Sequence, residues 1–228
     1  MLSEIGMFKS IFASIKRIML VRNATFKPIS DVIRWMYKKR FVFELEEKIV
    51  DKIERVGGEK LWGISGRNAF LLLYSFVRAT KPQVVIETGV ASGSSSYVIL
   101  QALEKNKKGV LYSIDFPETW QFDAEGRKSG WLVPDSLRRR WKLLIGRSSD
   151  LLPDLLAQLK KIDIFFHDSE HTYENMWFEY NLVWNYIKKD GLLLSHDVTW
   201  NSAFFDFCKQ KGLKPIVLGG NIGFIRKR

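Results

Sequence analysis

The chain has few of the residues that build covalent or metal–thiolate frameworks. Cys208 is the only cysteine among 228 residues. That excludes an internal disulfide and any zinc or iron–sulfur site needing several thiolates. Long apolar runs are missing too. Stretches such as residues 69–77 fall far short of the roughly 20 residues that span a bilayer. No secretory signal is evident, because Lys16 and Arg17 interrupt the apolar N-terminal stretch and no small-residue cleavage site follows. A cytoplasmic location is the expectation. Histidine is scarce, with three in the chain, which makes their placement informative.

Hydrophobic residues make up 46% of the chain, enough for a sizeable core and against wholesale disorder. The length suits one α/β domain with an extension. Net charge is +11 and uneven: residues 1–40 hold nine Lys/Arg against two Asp/Glu, and Arg226, Lys227 and Arg228 close the chain. Residues 41–225 are therefore nearly neutral, which argues against a nucleic-acid groove on the central domain. The basic ends suit an anionic surface, membrane or RNA, or else a solvated face.

Phe8, Ile11, Phe12, Ile15, Ile18 and Met19 recur at helical spacing with Lys9, Lys16 and Arg17 between them, the pattern of an amphipathic basic helix. Such a stretch, within residues 1–25, either lies on a membrane surface or packs on the domain or a second subunit, the latter making a homodimer. Pro28 breaks the pattern, and a second helical pattern covers about residues 30–56 before Gly57 and Gly58. Residues 1–60 thus read as a basic helical extension and residues 61–228 as the main domain.

From residue 65 helices and strands alternate. Residues 65–79 read as a helix and 83–87 (QVVIE) as a buried strand. A helix follows through Leu103, then strands at 109–114 (GVLYSI) and 141–145 (WKLLI). Next come a helix at 151–160, a strand at 162–166 (IDIFF), a helix at 172–189, a strand at 191–195 (GLLLS), a helix at 202–211, and a hairpin of 214–218 with 222–226. This alternation predicts a parallel sheet with right-handed crossovers and an antiparallel end.

Ligands of such sheets sit beyond the carboxyl ends of the strands. The first strand ends in Glu87-Thr88-Gly89-Val90-Ala91-Ser92-Gly93-Ser94. This is neither the dinucleotide fingerprint nor a P-loop. An acid there repels a pyrophosphate and favours a cationic ligand. Gly89 permits a tight turn, and Gly93 permits close backbone approach to a ligand. Asp115, ending the second strand, is placed to accept hydrogen bonds from two ribose hydroxyls. Loop and acid together fit S-adenosylmethionine.

The pieces ETGVASGSSS, YSID, SGWLVPDSLRRRWKLLIGRSSDLLP, DIFFHDSEHTYE and GLLLSHDV carry a resemblance. Residues from about 60 to 228 resemble a class I S-adenosylmethionine-dependent methyltransferase. Within that superfamily they are similar to small-molecule O-methyltransferases related to the macrocin and rhamnosyl O-methyltransferases and to cephalosporin-hydroxylase-type proteins. The resemblance implies a Rossmann-like α/β fold with helices on both faces of seven strands, ordered 3-2-1-4-5-7-6 with strand 7 antiparallel. It implies cofactor contacts from Glu87, Gly89 and Gly93 to the methionine moiety, Asp115 to the ribose, and Arg147 and Ser148 on the adenine side. Ser94 and Asp168 complete that set.

All three histidines fall at the ends of predicted adjacent strands, in His167-Asp168-Ser169-Glu170-His171 and Ser195-His196-Asp197. Methyl transfer is an in-line displacement in which the enzyme aligns the partners and a hydroxyl acceptor loses a proton. His171 is the expected general base and His196 the second candidate, with Asp168 beside them. The related metal-dependent enzymes carry an Asp after strand four and two acids, or Asp-Asn, after strand five. Asp168 and Asp197 match, while His196 departs from that pattern. The candidate metal set is therefore Asp168, His196 and Asp197. Mg²⁺ prefers all-oxygen ligands, so a His-containing set suits Mn²⁺, Fe²⁺ or Zn²⁺ better.

The long segment 116–140, with Pro117, Trp120, Phe122 and Trp131, reads as a lid over an acceptor pocket or as a self-packed loop. Trp200 and Asn201 are further pocket candidates, and Arg138–Arg140 read as a solvated helix end. The expected activity is O-methylation of a small hydroxylated metabolite. The alternatives are an RNA or protein methyltransferase working through the basic termini, and a peripheral membrane protein of methyltransferase fold. Nucleic acid is disfavoured because no Asn-Pro-Pro-Tyr-like tetrapeptide for amino acceptors follows strand four.

Overall fold

Branched and aromatic residues with almost no exposure, among them Val85, Ile86, Ile164, Phe165 and Leu193, form the centre of a parallel sheet covered on both faces. The structure is a computed structural model and describes residues 25–27, 66–116, 127–218 and 221–228. In chain order its strands are β1 (Thr25–Lys27), β2 (Val84–Thr88), β3 (Val110–Asp115), β4 (Trp141–Ile145), β5 (Ile162–His167), β6 (Ile187–Ser195), β7 (Ile216–Leu218) and β8 (Ile222–Arg226). The helices are α1 (Gly66–Thr80), α2 (Ser94–Asn106), α3 (Asp135–Arg138), α4 (Ser148–Leu159), α5 (Tyr173–Trp184) and α6 (Ala203–Gln210).

The sheet order is β1-β7-β8-β6-β5-β2-β3-β4. Without β1, and read from the β4 edge, the seven strands of the main domain run 3-2-1-4-5-7-6. Strand β8 is antiparallel to both neighbours. Fold, order and antiparallel strand are those expected. One core packs α1 and α2 on the sheet through residues such as Phe70, Leu73, Val98 and Leu103. The other packs α4, α5 and α6 on the opposite face through Leu152, Met176, Tyr180, Phe204 and Phe207.

Two differences from expectation bear on the sheet. The helix expected to reach Lys189 ends at Trp184. Ile187 leaves the helical stripe because it pairs with Ile162 and starts β6, with a register shift before Ile164 joins Leu192. The extension also supplies an edge strand: β1 runs parallel to β7, with Thr25 opposite Ile216. The helical patterns expected within 1–25 and 30–56, and Pro117, Trp120 and Phe122 of the long loop, lie outside the described residues.

Charge separates along the strand axis. At the carboxyl ends of the strands lie Asp115, Asp168, Glu170 and Asp197. At the amino ends, Arg78, Lys105 and Lys209 occupy the last turns of α1, α2 and α6, where cations complement the helix dipole. Lys160 and Lys161 lie between α4 and β5, Lys188 and Lys189 lie in the first half of β6, and β8 ends in Arg226 before Lys227 and Arg228. Among the described residues, Glu104, Asp163 and Asp190 at this pole are already engaged. Glu104 pairs with Arg139 and Arg140, Asp163 with Lys188 at 2.9 Å, and Asp190 with Arg226 at 2.8 Å. Near-neutral composition thus conceals a strongly polarised domain.

Candidate active site

A cavity of about 580 Å³ opens at the carboxyl ends of β2 to β6, where a doubly wound sheet places its ligand. Gly89, Val90 and Ala91 after β2, Asp115 and Phe116 at the end of β3, and Gly146 to Ser149 after β4 form one side. Asp168 to His171 and Asn175 after β5, with His196, Asp197 and Trp200 after β6, form the other.

The first wall is a pinned loop. The Gly89 amide donates to the Ile114 carbonyl at 2.9 Å, and the Val90 amide donates to Asp115 Oδ1 at 3.0 Å. Ser129 Oγ donates to Asp115 Oδ2 at 2.5 Å. Each Asp115 oxygen retains a second acceptor site. Residues 127–132 reach back over this loop, with Gly130 N donating to Ala91 O at 2.8 Å and Leu132 N to Ser92 O at 3.0 Å. The described half of the long segment is therefore packed down. Arg138 is part of that packing: it bonds the Gly130 carbonyl at 3.1 Å and covers the Trp141 ring, so the triplet of arginines is not merely solvated.

Three residues expected at the cofactor do not line the cavity. Glu87 is fully buried and accepts hydrogen bonds from Ser95 at 2.6 Å, Ser96 at 2.5 Å and Ser113 at 2.7 Å. Burial pushes its carboxyl up to about 7, the three hydroxyls offsetting only part of that cost. Ser94 is buried at the start of α2. Gly93, at φ +89°, is approached by the loop: a Cβ there would lie 2.7 Å from the Gly130 Cα. Gly89, Asp115, Arg147, Ser148 and Asp168 do line it.

The second wall holds the histidines. Strands β5 and β6 are adjacent and parallel with His167 opposite Ser195, so the two short motifs converge as expected. Thr172 caps α5 by accepting from the Asn175 amide, which fixes the chain just after His171. Asn201 Nδ2 donates to the His171 carbonyl at 3.0 Å. His171 Nε2 is buried, has no hydrogen-bond partner, and lies 3.7 Å from Asp168 Oδ1 and 3.8 Å from Asp197 Oδ2. Burial, then the neighbouring His167, lower its pKa against the opposing pull of Asp168 and Asp197, so this ring is neutral.

His196 is different. Its Nδ1 lies 3.1 Å from Asp168 Oδ1 and 3.3 Å from Asp197 Oδ2. Burial opposes its charge, but the hydrogen bonds to the two carboxylates outweigh that and raise it to about 10. His167 sits beneath, with Nδ1 2.7 Å from Glu179 Oε2 and no exposure. Glu179 also accepts from Thr88 at 2.7 Å and Ser169 at 2.9 Å, tying the ends of β2 and β5 to α5. Nothing in the sequence of its helix reveals that Glu179 faces the ends of β2 and β5.

Residues 86–198 match a family model described as a methyltransferase domain. The sheet order and the placement of the cavity agree with that match. Over residues 86–198 the chain is similar to methyltransferases, and its fold is the Rossmann-like methyltransferase fold. No curated protein sequence matches this chain. Solved structures of the same fold include a Geobacter sulfurreducens methyltransferase, with TM-score 0.60 and 18% identity over 88% of this chain and 99% of that one. An SAH-bound methyltransferase of Podospora anserina gives TM-score 0.58 at 15% identity, over 79% of this chain and 87% of that one. A Bacillus cereus O-methyltransferase in complex with SAH gives 0.55 at 11% identity, over 86% and 96%. Here the donor atoms of Asp168, His171 and His196 lie within 4.8 Å of one another, close enough to share a metal ion. Among the described residues no helix is long and apolar enough to cross a membrane.

Proposed function

We propose that the protein methylates a hydroxyl oxygen of a small acceptor, with His171 as general base. The observation that carries this reading is His171, a residue lining the cavity whose ring is kept neutral by burial and whose Nε2 has no hydrogen-bond partner. A neutral imidazole can accept a hydroxyl proton, which a hydroxyl acceptor must lose as it is methylated. The cavity fits the methyl donor. Val90, Ile114 and Phe116 offer an apolar wall for a purine, Asp115 retains acceptor sites for a ribose diol, and Asp168 supplies negative charge for an ammonium group. S-adenosylmethionine, when bound, supplies an electrophilic methyl group on a sulfonium centre. His196 and its two carboxylates hold the rim, and Trp200, 59% exposed and 5.4 Å from the His171 ring, shapes the acceptor entrance. The B. cereus O-methyltransferase of like fold supports oxygen as the acceptor atom.

The grouping of Asp168, His171 and His196 favours a second reading, in which these residues hold a divalent ion that assists the same transfer. Two imidazoles and a carboxylate suit Mn²⁺, Fe²⁺ or Zn²⁺ rather than Mg²⁺. His171 is then a ligand and not a base. The test is His171→Ala, with turnover read as S-adenosylhomocysteine release against a panel of phenols, catechols and sugars. Loss of turnover by about 100-fold or more with donor affinity within about twofold supports a role in the transfer step. Unchanged turnover removes His171 from the chemistry.

A further inference from the structure

The basic pole lies opposite the pocket, and helix dipoles account for only part of it. Arg78, Lys105 and Lys209 sit in last helical turns, where a cation is favoured. Lys211, the C-cap of α6, and Lys227, bonded to the last carbonyl of α5, share that reason, whereas the exposed Lys189 and Arg228 do not. Lys227 Nζ bonds the Trp184 carbonyl at 2.6 Å and stands 5.5 Å from that ring, which packs on Phe207; Lys211 lies 5.5 Å from the Phe207 ring. Burial, then the charges of Lys161 and Lys211, lower the Lys227 pKa. Like charges gathered this way are costly unless counter-charge arrives from outside. The nearby carboxylates Asp163 and Asp190 are already paired with Lys188 and Arg226.

The register of β1 adds a second, independent observation. Thr25 pairs with Ile216, the first residue of β7, so β1 starts at this same pole, and residues 1–24 precede it in the sequence. That segment carries Lys9, Lys16, Arg17 and Arg22 among regularly spaced apolar residues. An apolar stripe has no use on a nucleic-acid backbone but inserts among acyl chains. Trp184 adds an aromatic of the kind found at bilayer surfaces. We infer that the pole built from the strand amino ends docks on an anionic lipid surface, leaving the pocket facing the aqueous side.

Flotation of the full-length protein tests this. The probes are vesicles of phosphatidylcholine mixed with phosphatidylglycerol, and vesicles of phosphatidylcholine alone. The wild type is expected to float with the anionic vesicles, to release in raised salt, and to ignore the neutral ones. The exposed triple variant Lys160→Glu/Lys161→Glu/Lys211→Glu should partition about 100-fold less or weaker still. Its S-adenosylhomocysteine affinity, measured in parallel, should be unchanged. Lys189→Glu/Arg228→Glu should act in the same direction and serves if the triple variant fails to fold. Wild type that ignores anionic vesicles, variants that float as well as wild type, or polyuridylate that binds wild type while the vesicles do not, would each overturn the inference.

Discussion

The main-chain oxygen of Asp168 occupies the space that a side chain on Gly89 would need. A Cβ on Gly89 would lie 2.1 Å from that oxygen, and Gly89 sits at φ +84°. The close approach is sealed by the Asp168 amide, which donates to the Thr88 carbonyl at 2.8 Å. The loop after β2 and the loop after β5 are therefore locked at one point. Gly89→Ala should cost about 2–4 kcal/mol, combining positive φ with a main-chain clash. Thermal unfolding should show a loss of roughly 5–15 °C for a chain of this size, and residual folded protein should bind S-adenosylhomocysteine more weakly.

Glu87 makes stability depend on pH in an unusual direction. Its carboxyl titrates near the ordinary 4.5 when unfolded and near 7 when folded, because burial disfavours its charge. Below that window both states hold the proton. As pH rises through it, the unfolded state gives up the proton and the folded state keeps it, so this group's contribution to stability falls; above the window the difference is constant. The whole effect is about 3 kcal/mol. Glu87→Gln mimics the protonated acid and should remove it. Urea unfolding of both proteins at several pH values should show the variant gaining on wild type as pH rises; parallel curves would mean that Glu87 is ionised in the fold.

The alternation of strands and helices and the convergence of the two His/Asp motifs at neighbouring strand ends were legible from the residues, whereas the strand order came with the family resemblance. What lay hidden depends on three-dimensional crowding. Gly93 looked like a ligand contact, yet the approaching group is the chain's own Gly130. Glu87 looked like a contact for an amine, yet Ser95, Ser96 and Ser113 surround it. The stripe through Ile187 looked helical because Ile suits both periods, and pairing with Ile162 decides for the strand. Summed charge over residues 41–225 concealed the separation of poles, since a sum carries no direction.

His171 and His196 should separate in a pH profile. His171 is held below the usual 6.5 by burial and His167, so it gains its proton only in more acidic solution. The acidic limb of kcat/KM should therefore fall below pH 6.5. His196 remains charged up to about 10 and contributes no limb near neutrality. An acidic limb above 6.5 would assign the base elsewhere.

Removal of metal distinguishes the two routes to the transfer. With His171 as base, enzyme dialysed against a chelator should keep its turnover. Loss of turnover restored by Mn²⁺ or Zn²⁺, and not by Mg²⁺, would assign Asp168, His171 and His196 to an ion instead.

Trp200 should govern the acceptor and not the donor. Its ring is exposed at the mouth and leans on His171 at 45°. Trp200→Ala should raise acceptor KM about tenfold, of the order that one aromatic contact supplies, with S-adenosylhomocysteine affinity within about twofold. Equal losses in both would place the ring in the donor site.

Titration calorimetry of S-adenosylhomocysteine into wild type and Asp115→Ala addresses the cavity most directly. A saturable heat at one ligand per chain, weakened about tenfold or more when the Asp115 carboxylate and its hydrogen bonds are removed, is the expected result. An absence of heat in the wild type, or an affinity indifferent to Asp115, would contradict the placement of the donor beyond the ends of β2 and β3.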